Sequence, residues 1–186
     1  IELSDKNGMK FYIQVTPCAD NKSNGKITLD TDEKKLYLYS SDCGRTFEKI
    51  RDSKAVLNRL SEGSYSFCFM EKDFPETITD IYTVYAGDIS NSCSISAIAV
   101  SSAEKISNDG TITICVKDQS GSEDYEATID GWKTCISFSG KTVGFESLGQ
   151  GVYSVSVRDK KNPVNVSHIM SVPVVHSEIG TSAYKC

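Results

Sequence analysis

Leu60-Ser-Glu-Gly63-Ser-Tyr65-Ser-Phe67-Cys-Phe69 returns later in the chain as Leu148-Gly-Gln-Gly151-Val-Tyr153-Ser-Val155-Ser-Val157. Tyr65 maps to Tyr153, an offset of 88 residues. The same offset carries Tyr37 onto Tyr125, Asp42 onto Asp130, Thr46 onto Thr134, Pro75 onto Pro163 and Val84 onto Val172. Nearer the start of each copy the offset is 85. There Ile13-Gln-Val15 becomes Ile98-Ala-Val100, and Asn24-Gly25-Lys-Ile27-Thr28-Leu29 becomes Asp109-Gly110-Thr-Ile112-Thr113-Ile114. A three-residue indel in a loop accounts for the change of offset. The chain therefore reads as two copies of one unit, residues 1–93 and 94–186, and a repeat of this kind fixes the architecture before any residue-level chemistry.

Within each copy, apolar and polar residues alternate with the period of a half-buried strand. Tyr65, Phe67 and Phe69 share one face, with Ser66 and Cys68 on the other. Tyr153, Val155 and Val157 repeat the pattern. The spacing predicts further strands over 9–16, 26–31, 35–40, 46–50 and 80–86. Their partners are 94–101, 111–117, 125–129, 134–139 and 168–175. Turn signals separate them at Asn24-Gly25, Asp42-Cys-Gly44, Glu62-Gly63, Asp109-Gly110, Asp130-Gly131 and Gln150-Gly151. Residues 52–60 are the one stretch that could form a short helix. About seven short strands per copy predict an all-β chain of two tandem immunoglobulin-like antiparallel β-sandwich domains. A single closed barrel is the alternative. Phe67, Phe69, Val155, Val157, Leu60 and Leu148 are expected in the cores, with Tyr65 and Tyr153 in equivalent buried positions.

Ser40-x-Asp42-x-Gly44-x-Thr46-Phe47 fits the Asp-box pattern Ser-x-Asp-x-Gly-x-Thr-Trp/Phe. Such a segment forms a hairpin turn. The carboxylate accepts backbone N–H bonds, the glycine permits a positive φ, and the aromatic packs beneath. Sialidases carry the box as a structural turn remote from catalysis. The second copy keeps Thr128-x-Asp130 and Thr134, with Trp132 at the glycine position and Cys135 at the aromatic one; Gly131 is placed to take over the turn.

Tyr37-x-Tyr39-Ser40-x-Asp42-x-Gly44-x-Thr46-Phe47, followed by Leu60-x-x-Gly63-x-Tyr65-x-Phe67-x-Phe69-x-x-x-Asp73, resembles the SprB-type repeat of bacterial cell-surface adhesins. Val15-Thr16-x-Cys18 with Asn24-Gly25-Lys-Ile27 is similar to the start of that repeat. Gly151-x-Tyr153-x-Val155-x-Val157-x-Asp159 matches it again in the second copy, which departs at the Asp-box. The resemblance implies a tandem repeat in a large surface or secreted protein, extracellular and without catalytic residues.

Composition narrows the classes. Hydrophobic residues are 39% and charged residues 24%, which fits globular domains rather than disorder. Net charge is −5 with both signs interspersed, against the concentrated basic patch that nucleic acid needs. No apolar run approaches the roughly 20 residues of a membrane span, so no membrane insertion of this segment is expected. The chain opens at Ile1 without a methionine or signal-peptide pattern and closes at Cys186, and it reads as a piece of a longer protein.

Little of the chain points to chemistry. His168 and His176 lack close metal spacing, and there is no Cys-x-x-Cys. Asp30-x-Asp32-Glu33 lacks the glycine and distal glutamate of a calcium loop. No cofactor or metal is expected. The seven cysteines occupy no equivalent positions in the two copies; they read mostly as free thiols, with Cys18 and Cys93 the best pair if a bridge exists. Trp132, the only tryptophan, sits on a predicted turn, which suggests exposure. Exposed aromatics stack on sugars or anchor protein partners. The alternative is a ring folded over its own unit's edge. Three functions follow: a non-catalytic adhesion or spacer repeat contacting its neighbouring repeats and a glycan or host protein; a carbohydrate-binding module centred on Trp132; or an accessory domain of a secreted glycoside hydrolase.

Overall fold

The computed structural model describes residues 2–4, 10–18, 23–31, 35–87, 93–100, 108–117 and 122–175. The chain is all-β, and among the described residues every pairing between strands is antiparallel. The first half contributes β1 (Glu2–Ser4), β2 (Lys10–Thr16), β3 (Gly25–Thr31), β4 (Tyr37–Ser40), β5 (Glu48–Lys49), β6 (Lys54–Leu60), β7 (Gly63–Glu71) and β8 (Ile81–Ala86). The second half contributes β9 (Ser94–Val100), β10 (Gly110–Lys117), β11 (Asp124–Thr128), β12 (Ile136–Ser139), β13 (Thr142–Leu148), β14 (Gly151–Asp159) and β15 (Met170–Val174). Among the described residues the one helical turn is Pro75–Thr77.

Five pairings recur in both halves. β2–β3, β3–β6, β4–β5, β4–β7 and β7–β8 have as counterparts β9–β10, β10–β13, β11–β12, β11–β14 and β14–β15. Registers recur as well. Tyr65 faces Val84 as Tyr153 faces Val172, and Tyr37 faces Glu71 as Tyr125 faces Asp159. The stretch 52–60, which could have formed a short helix, instead carries strand β6, with Leu57 opposite Ile27. A bulge hides that strand from its sequence. The register slips between Gly25 and Ile27, and Arg59 takes φ 57° to accommodate the extra residue. The same slip lies between Gly110 and Ile112, with Ser147 at φ 59°.

The sheets do not separate cleanly into two halves. β8 pairs with β9, through Ile81 with Ala99, Tyr82 with Ile98 and Thr83 with Ala97. This joins β13-β10-β9 and β8-β7-β4-β5 into one seven-stranded sheet, flanked by the sheets β1-β2-β3-β6 and β12-β11-β14-β15. Alternation along each strand gives the middle sheet two working faces. On one face Phe67, Phe69, Tyr82, Val84 and Ala86 pack with Phe11, Ile13, Ile27 and Leu29. On the other, Cys68 and Ile81 join Ala97, Ala99, Ile112 and Ile114 against Val155, Val157, Met170, Val172 and Val174. The result is three layers around two cores.

Phe67, Phe69, Val155, Val157 and Leu148 are buried as expected, while Leu60 is half-buried. Two further expectations are corrected. Tyr65 and Tyr153 are half-buried rather than buried, because each hydroxyl reaches out to a carbonyl. Cys68, expected to face outward, is fully buried because β15 packs across β7 and β8.

Candidate functional site

Asp42 and Asp130 organise the same turn twice. The Ser40 hydroxyl donates to Asp42 Oδ1 at 2.7 Å and accepts from Gly44 N at 2.8 Å. Asp42 Oδ1 accepts from Arg45 N at 3.0 Å and Thr46 N at 2.8 Å, and Oδ2 accepts from the Thr46 hydroxyl at 2.6 Å. In the second half Thr128 replaces Ser40, donating to Asp130 at 2.8 Å and accepting from Trp132 N at 3.0 Å. Lys133 N and the Thr134 amide and hydroxyl complete the set at 3.0, 3.0 and 2.6 Å. Gly131 does not shift the turn. Gly131 and Trp132 take φ 73° and 69°, where Cys43 and Gly44 take 61° and 86°. Trp132 thus holds a left-handed conformation that glycine fills without strain. Phe47 packs toward the second core from below the first turn, whereas Cys135 at its counterpart is exposed.

The carboxylates are committed to their turns. Burial acts to raise the Asp42 carboxyl, but the bonds from Thr46, Ser40 and Arg45 outweigh it and hold the group below its ordinary value. Asp130 is pulled to about 2, foremost by the Thr134 hydroxyl and amide. Groups held this low stay ionised through neutral pH and have no proton to donate.

Trp132 is not an exposed platform. It is half-buried, and the Arg158 guanidinium carbon lies 4.5 Å from its ring centroid. Arg158 is itself fixed by Glu126, with Nη2 at 2.6 Å and Nε at 2.8 Å from Oε2. The ring folds over its own sheet because β14 carries Arg158 beside the turn. Glu126 and Arg158 sit on paired strands in register, and period-2 reading gave no sign of their role.

Two further constellations were not anticipated. The Tyr65 hydroxyl donates to Ser61 O, and the Tyr153 hydroxyl to Gly149 O, each at 2.8 Å. At the seam between halves, the Tyr85 ring stacks on His168 at 4.6 Å, and the Tyr85 hydroxyl donates to Glu62 Oε1 at 2.5 Å. Burial first, then this bond, pushes the Tyr85 phenol up. His168 Nδ1 lies 3.9 Å from the same carboxylate, and Ser171 N donates to Ser64 Oγ at 3.0 Å.

Cys18 and Cys93 are both buried and no disulfide joins them, which corrects the candidate bridge; the Cys18 thiol donates to Ala86 O at 3.3 Å. Asp30 pairs with Lys54 Nζ at 3.6 Å. Asp32, Glu33, His176 and Cys186 lie outside the described residues. Among the described residues, no group of three or more His, Cys, Asp or Glu side chains is arranged to hold a metal ion. Among them, too, no helix is long and apolar enough to cross a membrane. Neither a family model nor a curated protein matches this chain.

Proposed function

We propose that this chain is a non-catalytic segment of two immunoglobulin-like repeats from a surface or secreted protein, acting as a spacer or in adhesion. The observation that carries the reading is the hydrogen-bonded seam of β8 and β9. A sheet shared across the junction, with β15 packed over β7 and β8, resists bending in a way that a peptide linker does not. A spacer that projects a binding head needs that stiffness.

The features repeated between the halves support the same reading, because they are devices of folding. They are the Asp-centred turn, the glycine beneath a strand bulge, and the tyrosine hydroxyl bonded to a carbonyl four residues upstream. The last resembles the tyrosine corner of Greek-key sandwiches. The carboxylates most fully hydrogen-bonded are held ionised, which suits turn capping rather than proton transfer.

The carbohydrate-binding alternative centres on Trp132. With Arg158 over one ring face, a sugar has at most the opposite face to stack on. An array of glycans and surface proteins, probed with wild type and Trp132→Ala, separates the readings. The spacer reading expects no binding by the wild type. Adhesion expects binding, lost on substitution if Trp132 is the contact. Hydrolysis of any arrayed glycan would overturn the non-catalytic reading.

A further inference from the structure

Ile81 and Ile169 occupy the same place in the two halves, one at the first position of β8 and the other immediately before β15. Ile81 is 1% exposed and Ile169 is 58% exposed. Thr83 is fully buried, while its counterpart Ser171 is exposed. The difference has one source. The outward face of β7–β8 is covered by the second half, and the outward face of β14–β15 carries nothing equivalent among the described residues. Val152, on the same face of β14, is 72% exposed.

The edge repeats the story told by the face. The outer edge of β9 is paired with β8, and the outer edge of β2 is paired with β1. The registers correspond: Glu2 lies opposite Tyr12, and Thr83 opposite Ala97, which is Tyr12 shifted by 85. In both halves, then, the opening strand of the repeat fold receives an antiparallel strand on that edge. β15 is the counterpart of β8, and among the described residues it pairs with β14 alone.

We propose that the outward face and outer edge of β14–β15, around Ile169 and Ser171, dock a following copy of the same repeat, whose first strand pairs there as β9 pairs with β8. This rests on the repeat reading of the chain and adds to it the site and manner of stacking. Repeat arrays bury their faces only against neighbours, and the terminal face stays exposed. The footprint is short. Pro173 has no N–H to offer and stands in the place of Tyr85, just beyond the three-residue stretch that β8 uses. A proline there blunts indiscriminate strand addition while leaving Ile169–Ser171 available. The Ser171 N–H now given to Ser64 Oγ would be exchanged for a carbonyl of the incoming strand.

The test compares the chain with an extended form in which a further copy of residues 88–175 follows Val175, the spacing that separates the existing halves. Hydrogen–deuterium exchange is read at the Ile169 amide. Docking predicts exchange slowed at least tenfold in the extended chain, and the slowing abolished by Ile169→Asp with the β-sheet circular dichroism retained. A folded third copy that leaves Ile169 exchange unchanged overturns the proposal while sparing the spacer reading, because beads on a string also span distance. A third copy that fails to fold overturns it too, since the docking face would then not support the strand it is said to complete. Slowing that persists in Ile169→Asp places the contact elsewhere and likewise overturns it.

Discussion

Gly25 lies so close to Leu60 that a side chain would not fit: a Cβ at Gly25 would stand 2.9 Å from the Leu60 carbonyl oxygen. Gly110 repeats this against Leu148 O at 2.7 Å, with Val174 Cγ1 at 2.6 Å. In both cases the bulged strand brings its carbonyl over the glycine. Gly25→Ala and Gly110→Ala should each cost about 1–3 kcal/mol, the usual range for overpacking. Gly144 has open space around its Cβ position, so Gly144→Ala should be neutral or stabilise by up to about 1 kcal/mol. Urea denaturation of the three variants checks the contrast.

The Asp-centred turns set an acid limb of stability. A carboxyl whose folded pKa lies below its ordinary value contributes stability that is present above that ordinary value and is lost as pH falls. For Asp130 the loss should run from about pH 4 down to about 2. Asp42 acts in the same direction. Asp42→Ala should lower stability at pH 7 by about 0.5–2 kcal/mol, by analogy with a lost side-chain cap. The double variant Asp42→Ala, Asp130→Ala should flatten the dependence of stability on pH below 4, measured by denaturation across that range.

Trp132 holds a positive φ that a Cβ makes unfavourable. Trp132→Gly and Trp132→Ala both lose the contact with Arg158, but only glycine relaxes the backbone. The glycine variant should therefore be the more stable of the two by about 1 kcal/mol. Equal stability of the two would mean that the turn does not hold residue 132 in the left-handed region.

Tyr65→Phe and Tyr153→Phe each delete one hydroxyl-to-carbonyl bond and nothing else. Each should cost about 0.5–1.5 kcal/mol in thermal or chemical denaturation. The equivalence of the two positions predicts similar losses.

The thiols should separate by depth. Burial foremost pushes the Cys68 thiol up to about 12, and Cys18 and Cys93 are also buried. Cys135 is exposed. An alkylating reagent applied to native protein, with labelled sites located by mass spectrometry, should modify Cys135 while sparing Cys18, Cys68 and Cys93 until denaturant is added.

Much of this fold is legible in the sequence, and the gaps have physical causes. The alternation of Tyr65, Phe67 and Phe69 marks β7 because that strand is regular. β6 and β13 escape because Arg59 and Ser147 each insert a bulge that breaks the period of two. Cys68 reads as lying away from the core because alternation reports which residues share a face and not what covers it. The Asp42 turn is readable from residue types alone. The position of Trp132 beneath Arg158 depends on β14 lying beside the turn, a long-range contact that no local pattern carries.

The central claim is that the two halves form one stiff body through the β8–β9 seam, and backbone residual dipolar couplings test it most directly. Couplings from residues 10–87 and from residues 93–175 should fit a single alignment tensor, with the same magnitude and orientation for both halves. Two tensors of different magnitude would show the halves tumbling separately, and would contradict the account.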